Sequence, residues 1–288
     1  MKRVIFDCDN TFGLGGCDVD DGLALLYLLG HRDAVRIEGI TTTYGNSDVD
    51  TVYDNTKSIL SELELDIPVF KGCPDRHSIY SEAVEHMVRS ALSSGDDLYI
   101  LATGSLTNVY RAYGAEQQFF EGIKGIVLMG GITSPLIING RNMEELNFSC
   151  DPAAAYCVLS KGKNVSVITG NNCLPAYFTH ADYHSRLCRE GSRLGRYVYE
   201  KTRCWFDYMK DAYDSTGFYG WDVVAAAYLA EKELFADCPF SSAATVQSLQ
   251  QGFLPQGNTD GGFMINLPRI KEAGVLIEDV YRAWQRIQ

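Results

Sequence analysis

The chain has 288 residues, 46% of them hydrophobic, which is enough for one large α/β core. It carries 25 basic against 37 acidic side chains, a formal net charge of −12 without a basic stripe, and this excludes a nucleic-acid binder. Nine scattered cysteines with no Cys-x-x-Cys pair argue against a zinc site or disulfide framework and fit a reducing cytoplasm, and no apolar span of 18 residues or signal-peptide core occurs, so neither a membrane nor secretion is expected.

In chain order, short apolar runs predict strands over Arg3–Phe6, Ile37–Thr43, Ile67–Phe70, Leu98–Ala102, Ile123–Met129 and Val165–Thr169. Amphipathic segments between them predict helices over Asp20–Leu29, Ser47–Leu63, Ser81–Ser93, Leu106–Tyr113 and Pro152–Leu159, the last opened by Asp151 as N-cap and Pro152 at the first helical position. The alternation predicts a largely parallel central sheet with helices on both faces. Beyond residue 180 the pattern turns helical, over 181–213, 222–231 and 277–287, with a short strand near Ala244–Gln247. No Pro/Gly/Ser-rich linker divides the chain, so residues 1–288 read as a single domain with a helical C-terminal third.

Ligands of open α/β sheets sit beyond the carboxyl ends of the strands. That rule selects Asp7 and Asp9, then Thr43-Tyr-Gly-Asn46, Thr103-Gly-Ser-Leu-Thr-Asn108 and Met129-Gly-Gly131. Five aspartates (Asp7, Asp9, Asp18, Asp20 and Asp21) fall between the first strand and the first helix. So many carboxylates repel unless they are protonated or bound to a cation.

Two chemistries use such a cluster. FDCDNT resembles the haloacid-dehalogenase phosphatase signature, with Asp7 as nucleophile, Asp9 as acid/base and Thr11 in support. That reading needs a later lysine and an acidic pair closing a strand, and no later strand ends in Gly-Asp-x-x-x-Asp. The alternative is a calcium site, because Ca²⁺ takes six to eight oxygen ligands, often several carboxylates.

The second reading gains support along the whole chain. Asp7-Cys-Asp9 and Asp20-Asp21-Gly-Leu-Ala-Leu match the two halves of an Asp-x-Asp-Pro-Gly-x-Asp-Asp hallmark, with a longer Gly-rich loop carrying Asp18 in place of Pro-Gly. Gly39-Ile-Thr-Thr-Thr-Tyr-Gly-Asn46, Gly104-Ser-Leu-Thr-Asn108, Met129-Gly-Gly131, Asn139, Glu145-Leu-Asn147, Asp151-Pro-x-Ala-Ala and Trp221-Asp222 follow in order. From about residue 3 to 287 the chain resembles the inosine–uridine preferring nucleoside hydrolases, whose sheet is Rossmann-like.

The resemblance implies hydrolysis of the N-glycosidic bond of ribonucleosides, with Ca²⁺ as cofactor and a homodimer or homotetramer as the assembly. It implies Ca²⁺ held by Asp9, Asp21, Asp222 and the Thr107 carbonyl, with Asp9 also the base for the attacking water. Asp20, Asn46, Asn139, Glu145 and Asn147 would bind the ribose, and Asp7 would orient its neighbours. Where many members carry histidine before the last metal aspartate, this chain has Trp221, which resembles the purine-specific subgroup. Trp205, with Phe206 and Tyr208 on the same helix, would supply a second face against the base, and His77 and Tyr80 are other candidates. Taken alone, Asp222 also reads as a helix cap, Asn46 and Asn139 as turn residues, and Trp221 as core. A nucleoside-binding protein that has lost turnover is a third possibility, against which stand the retained Asp9, Asp21 and Asp222.

Overall fold

The computed structural model describes residues 1–93, 97–189, 192–257 and 262–287. Strands are β1 (Lys2–Cys8), β2 (Val35–Thr42), β3 (Val69–Phe70), β4 (Leu98–Ala102), β5 (Gly125–Met129), β6 (Leu136–Ile138), β7 (Arg141–Met143), β8 (Val165–Ile168), β9 (Tyr177–Thr179), β10 (Gly217–Tyr219), β11 (Phe235–Ala236), β12 (Pro239–Ser242), β13 (Phe263–Asn266) and β14 (Arg269–Ile270). Helices are α1 (Asp20–Gly30), α2 (Val49–Glu62), α3 (Glu82–Ser93), α4 (Thr107–Ala115), α5 (Asn147–Cys150), α6 (Pro152–Lys161), α7 (Gly170–Cys173), α8 (His180–Leu187), α9 (Arg193–Tyr213), α10 (Trp221–Ala230), α11 (Val246–Leu249) and α12 (Ala273–Arg286).

Eight strands form the main sheet in the order β12-β13-β8-β5-β4-β1-β2-β3. All neighbours pair in parallel except β12 with β13, which are antiparallel. The single α/β domain therefore has the expected central sheet. Its C-terminal third is less helical than expected, because β12 and β13 extend the sheet at one edge. The residues expected as a strand near Ala244–Gln247 instead lead into α11, whose start is held by a Thr245–Ser248 capping box. The expected helix over 181–213 divides into α8 and α9, with Ser192 capping the second by accepting from the Gly195 N–H.

The two faces of the sheet carry separate cores. One gathers α1, α9, α10 and α12 over residues such as Phe6, Leu25, Val224 and Trp284, and the other gathers α3, α4, α6 and α11 over Ile100, Leu128, Phe148 and Leu249. Helix α10, WDVVAAAYLA, has no polar face and is buried along its whole length, as expected of a helix packed on every side. It lies beside α1, and both helices carry aspartate in their first turn. The Asp151 cap is present as expected, accepting from the Ala154 N–H at 3.0 Å.

Candidate active site

Strand β1 runs between β4 and β2, which sets Asp7 and Asp9 at the carboxyl edge of the sheet's middle. Asp7 Oδ1 accepts from the Thr41 hydroxyl at 2.7 Å and Asn108 Nδ2 at 2.9 Å, while its buried Oδ2 has no partner. Burial pushes this carboxyl up to about 7. Asp9 Oδ2 accepts from the Asn46 N–H at 2.6 Å, its Oδ1 is buried without a partner, and burial pushes it up to about 6. A Cβ at Gly45 or Gly104 would overlap the Asp9 carboxylate. This close approach accounts for glycine in both the Tyr-Gly-Asn and Thr-Gly-Ser stretches.

The amino ends of α1 and α10 meet beside Asp9. Asp20 Oδ2 accepts from the Asp222 N–H at 3.0 Å, and Asp21 Oδ1 accepts from the Thr103 hydroxyl at 2.6 Å. Carboxylate oxygens of Asp20, Asp21 and Asp222 lie within 4.8 Å of one another, all in buried residues. Burial first, and for Asp21 and Asp222 the neighbouring carboxylates next, holds these groups above the ordinary carboxylate range. Two helix dipoles offset only part of the repulsion. An all-oxygen, all-anionic donor set of this kind fits a hard divalent cation and does not fit a soft metal.

Above the cluster opens a cavity of about 540 Å³, within the range of small-molecule sites. Asp18, Asp20, Asp222, Asn46 and Thr103 line its floor side, and Glu145, Asn147, Met129 and Gly131 also reach it. Asp9 and Asp21 lie behind this surface. An aromatic wall is formed by Trp205, Tyr208, Tyr213 and Trp221. Trp205 stacks on Tyr208 with centroids 4.7 Å apart and planes 9° apart, and Trp221 leans on Tyr219 at 4.9 Å. No Lys, Arg or His is among the described lining residues. The segment after Asp9 is wedged in place by fully buried Phe12 and by the Thr11 hydroxyl donating to the Asp18 carbonyl at 2.7 Å. Thr11 is therefore spent on loop structure, and the phosphatase reading lacks both its hydroxyl and its lysine.

The structure brings Asp7, Asp9, Asp18, Asp20, Asp21, Asp222, Asn46, Glu145, Asn147, Trp205 and Trp221 to one place, and of the expected residues Asn139 lies apart from them. Thr107 is buried at the start of α4, its hydroxyl shared between Asp151 at 2.8 Å and Tyr44 at 2.9 Å, which leaves its carbonyl, the atom expected to reach the ion, outside these bonds. Asn139 is exposed in the tight turn between β6 and β7, with φ of 48° followed by 79° at Gly140. Those angles are what an Asn-Gly hairpin turn requires, and the Asn139 amide donates to the Tyr213 and Asp214 carbonyls at 3.1 and 3.0 Å. Glu145 reaches the cavity, yet its carboxylate also accepts from the N–H groups of Gly131, Phe148 and Ser149 at 2.8–3.0 Å, which stitches the Gly-Gly turn to α5. Phe206 points into the aromatic core against Tyr183 and Phe218, and Tyr80 is exposed elsewhere.

Asn142, Glu144 and Tyr213 line the cavity without having been singled out by sequence. The Asn-Gly dipeptide between Leu136-Ile-Ile and Arg141-Asn-Met was the available sign of a hairpin; nothing comparable marked Tyr213.

The carboxylate cluster at the strand ends groups oxygen donors of the kind that hold a metal ion, beneath a cavity of small-molecule size walled by indoles. Residues 4–266 match the family described as inosine-uridine preferring nucleoside hydrolase, and the chain belongs to that family. It is 25% identical over 221 residues, 67% of either chain, to the pyrimidine-specific ribonucleoside hydrolase RihB of Escherichia coli strain SE11. A plant nucleoside hydrolase, PpNRh1, shares its fold at a TM-score of 0.85 with 20% identity, and the purine-preferring ribonucleoside hydrolase of Gardnerella vaginalis does so at 0.84 with 21%, each over 99% of both chains. The chain is thus a hydrolase acting on N-glycosyl bonds. All nine cysteines are free thiols, and among the described residues no helix is long and apolar enough to cross a membrane.

Proposed function

We propose that the protein is a Ca²⁺-dependent nucleoside hydrolase that prefers purine ribonucleosides and releases free base and ribose. The observation that carries this reading is the placement of the Asp20–Asp21–Asp222 triad, with Asp9 against it, under a cavity walled by Trp221 and Trp205. The carboxylates of Asp20, Asp21 and Asp222 would hold the ion, and Asp9 stands close enough to Asp21 to share in its binding. When bound, the cation supplies charge neutralisation, a grip on the sugar's vicinal hydroxyls and greater acidity of nearby water.

The chain's own residues do the rest. Asp9, with one oxygen fixed by Asn46 and the other unpartnered, accepts a proton as water adds to the anomeric carbon. The C–N electron pair passes to the base, which is released after gaining a proton, so water is divided between ribose and base. Positive charge grows on the sugar in this transition state, and the carboxylates and amide oxygens around it become more favourable neighbours as the bond breaks. Trp221 and Trp205 offer π-faces to the base, worth about 1–3 kcal/mol by analogy with base stacking in nucleic-acid binding. The absence of lysine and arginine from the described lining favours nucleosides over nucleotides.

The test is release of base and ribose from inosine, guanosine, adenosine, uridine and cytidine, with and without EDTA, beside an aryl phosphate. Purine release that stops with EDTA and returns with Ca²⁺ is expected. Pyrimidine release at equal or higher efficiency would overturn the stacking preference, and release indifferent to EDTA would overturn the metal.

A further inference from the structure

A second cavity, of about 580 Å³, opens at the amino ends of β1, β4, β5 and β8, the end of the sheet opposite the aspartates. It is as large as the first and within the range of small-molecule sites. Its charge has the other sign. Lys2, Lys124 and Lys232 line it against a single carboxylate, that of Asp237. Three positive groups less one negative leave +2, in a chain whose net charge is −12.

These groups differ in what they have left to offer. Both Asp237 oxygens are engaged, Oδ1 accepting from the Tyr228 hydroxyl at 2.8 Å and Asn266 Nδ2 at 2.9 Å, and Oδ2 pairing with Lys232 Nζ at 2.8 Å. These partners, Lys232 first, hold the Asp237 carboxyl below the ordinary range. Lys2 Nζ donates to the Leu229 and Ala230 carbonyls at 2.6 and 3.4 Å, which end α10 without helical partners, and one of its three N–H groups remains unused. Burial holds this ammonium below the ordinary lysine value, with Glu231 offsetting part of the effect. Lys124 Nζ has no hydrogen bond or ion pair among the described residues, and the Tyr99 hydroxyl has no hydrogen-bond partner there. Nor does the backbone need a lysine at 124, since its N–H donates to the Leu98 carbonyl and its carbonyl accepts from Asn164 whatever the side chain.

Register brings the unused donors together. Val4 of β1 lies beside Tyr99 of β4, and Tyr99 beside Gly125 of β5, so Lys2 and Tyr99 share a face of the sheet and Lys124 stands one residue before their row. Ile126, Val127, Val165 and Ile265 supply apolar lining next to them. From this juxtaposition we infer that the second cavity binds an organic phosphomonoester, its head held by Lys2, Lys124 and the Tyr99 hydroxyl and its apolar or aromatic body laid along the aliphatic wall. A phosphomonoester carries a charge of about −1.5 to −2 at neutral pH, which matches the +2 of the lining, and lysine serves phosphate as a point charge. The site is independent of the reaction proposed for the first cavity.

Isothermal titration calorimetry of the metal-free protein at pH 7.5 tests this, because the carboxylates of the first cavity then repel anions. Phenyl phosphate is the probe, with inorganic phosphate and benzoate separating the dianionic head from the flat body. Wild-type protein is expected to bind one phenyl phosphate, about tenfold more tightly than either control. Lys124→Gln should weaken that binding by about tenfold or more, the scale of one hydrogen bond to a charged group, with Tm unchanged, and Tyr99→Phe should weaken it less. Lys57→Gln, which removes the same charge from the exposed face of α2, should leave it as it was. Absence of binding to wild type, benzoate binding as tightly as phenyl phosphate, or equal affinities in Lys124→Gln and Lys57→Gln would each overturn the assignment.

Discussion

Stripping metal from the protein and adding back Ca²⁺ at two pH values probes the carboxylate cluster most directly. Two unit charges 4.8 Å apart repel by about 3.5 kcal/mol at an effective dielectric near 20. Three such pairs amount to about 10 kcal/mol, comparable with the whole stability of a typical domain. The metal-free site must therefore hold protons. Its carboxyls have folded values above their unfolded ones, as with Asp7 near 7 and Asp9 near 6 against 3.8. Between about pH 4 and 7 the folded protein thus binds more protons than the unfolded chain, and these groups' contribution falls as pH rises through that window. Ca²⁺ takes the protons' place, so it should matter little at pH 5 and fully at pH 7.5. At a thousandfold excess over Kd it adds about 4 kcal/mol. With an unfolding entropy of about 0.6 kcal/mol/K for 288 residues, that raises Tm by about 7 °C. Differential scanning calorimetry of wild type and Asp222→Asn, with Mg²⁺ as a control, measures this. An equal shift at both pH values, or a full shift in Asp222→Asn, would refute the electrostatic argument.

Other outcomes follow from single residues. Asp9→Asn should lower kcat by 10²- to 10⁴-fold, the range of general base catalysis, with KM changed little; steady-state kinetics on inosine measures it. Trp221→Ala should cost about 1–3 kcal/mol in kcat/KM on inosine and less on uridine, and equal losses on both would return Trp221 to a purely structural role. His86, buried and stacked on Phe70 with centroids 3.9 Å apart, is held near 4 by burial and then by Arg89. Its folded value lies below the unfolded 6.5, so the unfolded chain binds the extra proton and stability is lost as pH falls from 6.5 toward 4. Compared with His86→Gln in urea denaturation, wild type should lose about 2 kcal/mol more across that window, solvent screening having been allowed for.

The sheet and its helices were legible because strand and helix periods in this chain are clean: β4 falls on the expected residues, and α1, α2, α6 and α10 start and stop within two or three residues of expectation. Asp20, Asp21 and Asp222 were legible for a different reason, since paired acids at a helix start beside a strand end have few uses. Asn139 misled because spacing alone cannot separate an asparagine chosen for a sugar from one chosen for positive φ; the glycine after it decides the matter. The strands at the sheet's far edge escaped notice because Pro239–Ser242 and Phe263–Asn266 are short and half exposed, with little alternation to read. Tyr213 reaches the cavity only because α9 ends there, which is a tertiary fact.

The Asn139–Gly140 turn also gives the molecule a chemical clock. In such a dipeptide the following backbone nitrogen can attack the side-chain amide, releasing ammonia and leaving aspartate or isoaspartate, and this turn is exposed. An acid at residue 139 would set negative charge against the Tyr213 and Asp214 carbonyls, where a donor now stands. Ageing would then loosen the hairpin from α9 without touching a single carboxylate of the cation cluster. Old preparations should bind metal as new ones do and bind substrate less well, a divergence that peptide mapping at residue 139 can trace to its cause.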